Sequence, residues 1–402
     1  MARAAHLAHP RAAAWRGQGV PWQRRGCAHV PLDLGEGGRE GVPLGRGRVD
    51  PRGQRPDGQR RAAARLQSVQ DLPDLRQGPV KAFVTGGTGF LGTHLVNALL
   101  ARGDDVTCLV RSPSKAASLE RRRVRLIRGD LDDAGALRRG CAGADVIFHL
   151  AGRIAARDLN AFMHANRDGT ANLLEAAAER PPRRFVYVSS LAAAGPTVPG
   201  QPIDETRPPA PVTPYGQSKL AGEVLVRAVA FPWTVVRPPL VYGEWDRATL
   251  AIFRLANRGI VPLFGDGSQQ LSLIYGADVA AALVAVIATE RTVGRVYFAA
   301  HPEITTAREL ALAVGRALGK RPRVLPVPAP VARAVLWTVG TLARVAGRAA
   351  LLSPEKAPDF LAPAWTCRAD ALRTDAGWEA RTDLVTGVAR TAAWYRKEGW
   401  LG

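Results

Sequence analysis

Tyr215 and Lys219 stand at the ends of Tyr215-Gly216-Gln217-Ser218-Lys219. Residues four apart on a helix share a face, so the phenol and the ammonium are neighbours. A free tyrosine ionises at about pH 10, too high for an efficient base near neutrality. A neighbouring ammonium favours the phenolate and lowers that value. Such a pair suits proton transfer to a carbonyl oxygen or from an alcohol. Upstream, the apolar run Phe185-Val186-Tyr187-Val188 reads as a central strand of a parallel sheet. It delivers Ser189 and Ser190 to its C-terminal end, where doubly wound sheets bind ligands. The plain alternative for Tyr215 and Lys219 is an exposed helical pair.

A second group of residues precedes these. Val80-Lys81-Ala82-Phe83-Val84 reads as a strand and runs into Thr85-Gly86-Gly87-Thr88-Gly89-Phe90-Leu91-Gly92. Leu95, Val96, Leu99 and Leu100 then form a helical stripe. Strand, glycine turn and helix are the context of a dinucleotide site: Gly86, Gly89 and Gly92 allow the tight turn, the approach of a diphosphate and close helix packing. The N–H groups around Phe90 and Leu91 supply positive partial charge to it. The next strand, 106–110, ends at Arg111, with Ser112 and Lys115 near it. An acid here would hold a ribose 2′-hydroxyl, whereas arginine attracts a 2′-phosphate. NADP is therefore expected, with NAD the alternative. A third strand is expected over 124–127. A fourth, 146–150, closes on Leu150 and ends at Ala151-Gly152, whose small residues let the backbone lie along the cofactor.

The Gly-x-x-Gly-x-x-Gly spacing and the Tyr-x-x-x-Lys pair resemble the extended short-chain dehydrogenase/reductases of the epimerase/dehydratase type, nearest to dihydroflavonol reductase and 3β-hydroxysteroid dehydrogenase-like members. The resemblance is good over residues 80 to 300 and loose beyond. It implies an α/β fold, a Rossmann doubly wound parallel sheet with a smaller C-terminal substrate lobe. It implies hydride transfer to or from nicotinamide, with Lys219 also reaching the nicotinamide ribose. Ser190, 25 residues before Tyr215, is preferred to Ser189 because extended members share that spacing. Asn166 matches the asparagine that helps hold a water relay to the lysine. Asp130 and Leu131 would border the adenine, and Pro238 and Val241 would pass the nicotinamide carboxamide. His149 occupies a strand that carries no chemistry in the family.

Departures from the family bear on substrate. Leu271 stands where nucleotide-sugar epimerases have an arginine that grips the diphosphate, and Ser190-Leu191-Ala192-Ala193-Ala194-Gly195 lacks the Thr-Asp-Glu of sugar dehydratases. The expected function is an NAD(P)-dependent oxidoreductase acting on a small, weakly charged carbonyl or alcohol. One rival is a nucleotide-sugar epimerase or dehydratase. Another is a cofactor-binding regulator or assembly factor without turnover, which has no need to keep Ser190, Tyr215 and Lys219 together.

The 402 residues carry a net charge of +20, but much of the excess is arginine scattered through the first 78 residues and through exposed helix faces, and no nucleic-acid motif accompanies it. No nucleic-acid partner is expected. From Ala2 to Gly78 there is no Ile, Phe, Tyr, Lys, Asn or Thr, so this stretch is expected to be disordered or a spurious extension. The Rossmann domain is expected over 79–300, with 244–280 contributing to the lobe, and the lobe proper over 301–402. Four scattered cysteines form no CxxC pair, which argues for a reducing, cytoplasmic setting and no metal site. Residues 329–352 are apolar but interrupted by Arg333, Arg344 and Arg348. They suit a lobe helix, or a peripheral membrane contact. A homodimer is a further expectation. Trp365, Trp378, Trp394 and Trp400 read as packing anchors.

Overall fold

The computed structural model describes residues 78–120, 122–345 and 353–401, and the side chains of 113–115, 118 and 344 lie outside that description. The chain divides into the units Met1–Ala62 and Ala63–Gly402. The expectations for the first 78 residues fall, but for Gly78, outside the described residues, as do 346–352 and the Lys115 side chain.

Six strands and then a seventh alternate with helices: β1 (Lys81–Thr85), β2 (Asp105–Val110), β3 (Arg125–Arg128), β4 (Val146–His149), β5 (Arg184–Val188) and β6 (Trp233–Arg237). After β7 (Leu240–Tyr242), β8 (Ile260–Phe264) and β9 (Gln270–Tyr275) comes β10 (Arg295–Phe298), which joins the first six. Their order is β10-β6-β5-β4-β1-β2-β3, and every pairing is parallel. β4 and β5 are buried at every residue, which is why they read as unbroken apolar runs. The order reverses at β1, whose neighbours are β2 and β4. That switch point opens the crevice in which such sheets bind ligands. The third strand begins one residue later than its apolar pattern suggests, because its register against β2 carries pairing on to Arg128.

The helix Phe90–Ala101 buries Leu95, Val96 and Leu99 in one core cluster with Val279, Leu283 and Val286 of the helix Gly276–Ile287. Burial of such side chains contributes about 1.5–3 kcal/mol each. Residues 276–280, expected with the substrate lobe, thus open a helix that packs on the dinucleotide side. Leu372 and Trp378, from the C-terminal stretch, join the same cluster. The opposite face of the sheet packs Phe83, Ile147, Phe185 and Tyr187 against Leu137 and Leu173.

The smaller lobe is built on β9, flanked by β11 (Ile304–Thr306) and β13 (Ala364–Trp365), with β7 also pairing β9. β12 (Arg323–Val327) pairs β8 in parallel. Its core gathers Tyr242, Phe253, Leu271, Leu273 and Tyr275 with Leu310 and Val314, and with Val388 and Tyr395 of the last long helix. Trp394 meets Trp245 and Trp400 with ring centroids 5.5 and 4.9 Å apart, an anchor as the sequence suggested.

Candidate active site

The phosphate loop follows β1. Gly86 has φ +79°, and a Cβ built on it would lie 2.7 Å from the Ala151 nitrogen. A Cβ on Gly92 would lie 2.1 Å from the Gly86 carbonyl oxygen. The loop therefore folds tightly onto the end of β4, and only glycine fits at these two places. Gly89 opens the helix Phe90–Ala101 with no side-chain cap and no acid in the first turn. The N–H groups of Phe90, Leu91 and Gly92 are left without intrahelical partners, a cradle that suits a diphosphate.

Below the loop, Thr85 Oγ1 lies 2.7 Å from His149 Nδ1, and His149 Nε2 lies 2.9 Å from Thr170 Oγ1. Burial, and then the Lys219 ammonium, push the imidazole down to about 3. His149 is thus a neutral strut between two strands and a helix. The Leu150 N–H donates to the Thr85 carbonyl at 3.1 Å. Gly152 faces Asn166, whose Oδ1 would be 2.9 Å from a Cβ there.

Asn166 lies in a π-helical turn, His164–Asp168. Its Oδ1 accepts from the Arg153 N–H at 2.7 Å, and its amide donates to the Arg153 carbonyl and to Ser218 Oγ at 3.0 and 2.9 Å. These bonds hold the turn after β4 against the helix that carries Tyr215. In this geometry the Asn166 side chain ties the Arg153 backbone to Ser218.

That helix, Pro214–Arg227, starts at a Thr213 cap with Pro214 in its first turn. Gly216 lets it approach Ala192, whose carbonyl oxygen would be 2.3 Å from a Cβ at that position. The close approach sets the Tyr215 hydroxyl beside Ser190. Ser190 in turn caps the helix Leu191–Ala194, accepting from the Ala192 N–H at 3.1 Å. Lys219 is buried, with Nζ 4.2 Å from the centroid of the Tyr187 ring. Tyr215 is half-buried against Phe162.

The electrostatics correct the simple picture of a lysine that lowers the tyrosine. Burial pushes the Tyr215 hydroxyl up to about 12; the nearby Ser190 hydroxyl opposes this and the Asp359 carboxylate adds to it. Burial also lowers Lys219 to about 7, with Glu223 opposing. Desolvation thus dominates both groups. The raised value keeps Tyr215 a neutral phenol at neutral pH.

Residues 82–300 match the model of the NAD dependent epimerase/dehydratase family. The chain belongs to this family. It is an NAD(P)-dependent oxidoreductase. The enzyme is 33% identical over 320 residues to a ceramide reductase of Caulobacter vibrioides, an alignment covering 79% of this chain and 95% of the relative. It is 32% identical over 323 residues to the 4-hydroxy-2-methyl-3-oxo-4-farnesyl-3,4-dihydroquinoline-1-oxide ketoreductase of Stigmatella aurantiaca, covering 77% and 95%. Among solved structures, MoeE5 in complex with UDP-glucose and NAD aligns with a TM-score of 0.63 at 26% identity, covering 79% of the enzyme and 99% of that chain.

The structure thus brings together Ser190, Tyr215, Lys219, Asn166, Leu150, Ala151 and Gly152 around the ends of β1, β4 and β5. Pro238 is tied to the same place, its carbonyl accepting from the Leu191 N–H at 2.9 Å. Val241 lies in β7, paired with Ile274. Arg111 is exposed at the end of β2 and, among the described residues, makes no ion pair. Asp130 is exposed and caps its own turn through the Asp132 N–H at 3.0 Å. Leu131 offers its carbonyl to Asn172 at 2.8 Å.

Two features escaped the sequence reading. Ser189, one residue from the chosen serine, donates to Glu223 Oε1 at 2.6 Å. Glu223 is fully buried and receives Arg237 through two bonds, 2.8 and 2.6 Å. Its signal was the Lys219-x-x-x-Glu223 spacing, which puts the carboxylate one turn below the lysine. The second is Lys356, from the C-terminal lobe. Its Nζ lies 4.9 Å from the Tyr215 ring centroid and 3.7 Å from Asp359 Oδ2. Ser353, Lys356, Thr213, Phe162 and Arg157 line the cleft at Tyr215. No local pattern marks Lys356 as an active-site residue.

Proposed function

We propose that the enzyme is an NADPH-dependent reductase of a ketone on a lipophilic molecule, with Tyr215 as the proton donor. The observation that carries this reading is the placement of the Tyr215 hydroxyl beside Ser190 and one helical turn from buried Lys219. A carbonyl oxygen seated there accepts from Ser190 Oγ and Tyr215 Oη, and takes its proton from Tyr215 as negative charge develops on it. Lys219, one turn below, supports the phenolate left behind. Nicotinamide, when bound, supplies the hydride. The glycine cradle of residues 86–92 would hold the diphosphate, with Thr85 beneath it, Leu150 to Gly152 along the dinucleotide, Asp130 and Leu131 at the adenine end, and Pro238 and Val241 at the nicotinamide end. Residues 79–300 would carry the cofactor and 301–402 most of the substrate wall.

Two further observations support the details. Leu271 is buried in the lobe core, so no cation stands there for a sugar diphosphate. The relatives named above reduce molecules that carry long apolar chains by their names. Arg111, with Lys115 in the same segment, supports a 2′-phosphate. A charge-assisted hydrogen bond is worth about 1.5–3 kcal/mol, and about 1.4 kcal/mol is tenfold in affinity.

The test is oxidation of NADPH and of NADH with a long-chain 3-oxo amide, beside UDP-glucose as the sugar arm. NADPH should be preferred by about tenfold or more, and Arg111→Asp should reverse the order. Equal use of both cofactors would return the 2′-phosphate assignment to NAD. Turnover of UDP-glucose alone would replace the ketone reading with the nucleotide-sugar one. Tight NADPH binding with no turnover of either substrate would favour a regulator.

A further inference from the structure

We propose that the outward face of the helix Ala329–Val345 seats the enzyme on an anionic lipid surface, with the mouth of the Tyr215 cleft beside it. The helix buries one narrow row, Ala332, Leu336 and Gly340, spaced four apart. Around the rest of its circumference Val331, Val335, Val339, Leu342 and Val345 are exposed, Leu342 at 65% and Val345 at 83%. On a helical wheel these five fall on one continuous arc. Thr338, on the same arc, returns its hydroxyl to the Ala334 carbonyl at 2.9 Å, which leaves the face more apolar still. Trp337 is 62% exposed beside Arg333, on the other side of the buried row. An exposed apolar stripe with an arginine on the opposite side of the helix is the pattern of a helix lying in the plane of a lipid surface. The helix has 17 residues, about 25 Å of length, and carries Arg333. Among the described residues no helix is long and apolar enough to cross a membrane.

Charge decides the occupant. Between Glu309 and Glu355 the sequence contains no acid and seven cations, from Arg316 to Arg348. So one-sided a segment matches anionic headgroups and opposes the same segment of a second copy. The helix is also joined to the cleft. A Cβ on Gly340 would lie 2.5 Å from Pro354 Cδ and 3.0 Å from the Ser353 Cα. Ser353 and Lys356, just beyond, line the cleft at Tyr215. Docking through this face therefore sets the wall of the cleft next to the lipid, where a lipophilic ketone resides. This last step rests on the ketoreductase reading, while the docking itself does not.

The experiment is co-sedimentation of the full-length enzyme with vesicles of phosphatidylcholine, with and without phosphatidylglycerol, at low and high salt. The comparison protein is the double variant Val335→Glu/Leu342→Glu, both positions exposed and away from Tyr215. The enzyme is expected on phosphatidylglycerol vesicles, with binding weakened by salt, and the double variant should lose about tenfold or more of that affinity. Reduction of a water-soluble short-chain ketone should be equal in the two proteins. Failure of the wild type to sediment with anionic vesicles overturns the proposal, as does undiminished binding by the double variant. A wild-type dimer that the variant splits, with no vesicle binding, assigns the face to a second copy and also overturns it. Vesicle binding that the variant loses, with no ketone turnover in either protein, upholds the docking and sinks the ketoreductase reading alone.

Discussion

Lys219→Met is expected to stabilise the enzyme while removing its turnover. Lys219 is 4% exposed, and burial lowers its pKa from 10.5 to about 7 against the pull of Glu223. Between those two values the unfolded chain holds the proton and the folded chain releases it. The unfolded state therefore binds more protons, and wild-type stability rises with pH across that window. At about 1.4 kcal/mol per unit, the burden on the folded state is roughly 4 kcal/mol at pH 7 and about 1 at pH 10. Methionine has a similar length and no charge, so the variant carries no such burden. Glu223 is not orphaned by the change, since Arg237 and Arg227 still pair with it. Allowing for a polarisable interior, the variant should be the more stable by about 2 kcal/mol at pH 7, with the gap closing towards pH 10. In melting temperature that is a rise of roughly 4 °C at pH 7, at about 2 °C per kcal/mol for a chain of this size. The assay is thermal unfolding of both cofactor-free proteins at intervals from pH 7 to 10. A variant less stable at pH 7, or a gap that does not change with pH, would refute the argument that Lys219 is held in the site at a cost.

Glu223→Gln leaves the buried Arg237 guanidinium without its counter-charge, and should destabilise by about 3–5 kcal/mol; the urea midpoint reads this, and an unchanged midpoint would show that the pair is not needed. Asp359→Asn removes a carboxylate that raises the Tyr215 hydroxyl, and frees Lys356 from its ion pair. Both changes favour the phenolate, so Tyr215 loses its donor proton at lower pH. The alkaline fall in reductive kcat/KM should move to lower pH in that variant, and a shift to higher pH would contradict the assignment of Tyr215 as the acid.

Local pattern made much of the site legible. The glycine turn, the apolar strands before it and before Ser190, and the four-residue spacing of Tyr215 and Lys219 are all short-range signals, and each is where the sheet order requires it. What pattern could not supply was burial. A count of neighbouring charges predicted a lowered Tyr215, whereas desolvation raises it. Partners drawn from distant segments were equally hidden. Ser189 and Glu223 are 34 residues apart, and each alone reads as an ordinary polar residue. Lys356 reaches Tyr215 from a different lobe, and in the sequence it is one more cation in a basic stretch. The smaller lobe was the least legible part, because its sheet joins β9 to strands of three and two residues whose pairing no periodicity announces.

In the proposed reaction Tyr215 delivers the proton as hydride passes from nicotinamide. Tyr215→Phe keeps the ring against Phe162 and removes only the hydroxyl. The decisive measurement is NADPH affinity together with turnover of the ketone substrate, in the wild type and in this variant. Affinity should be nearly unchanged and turnover should fall by a factor on the order of 10² or more; near-normal turnover would remove Tyr215 from the reaction.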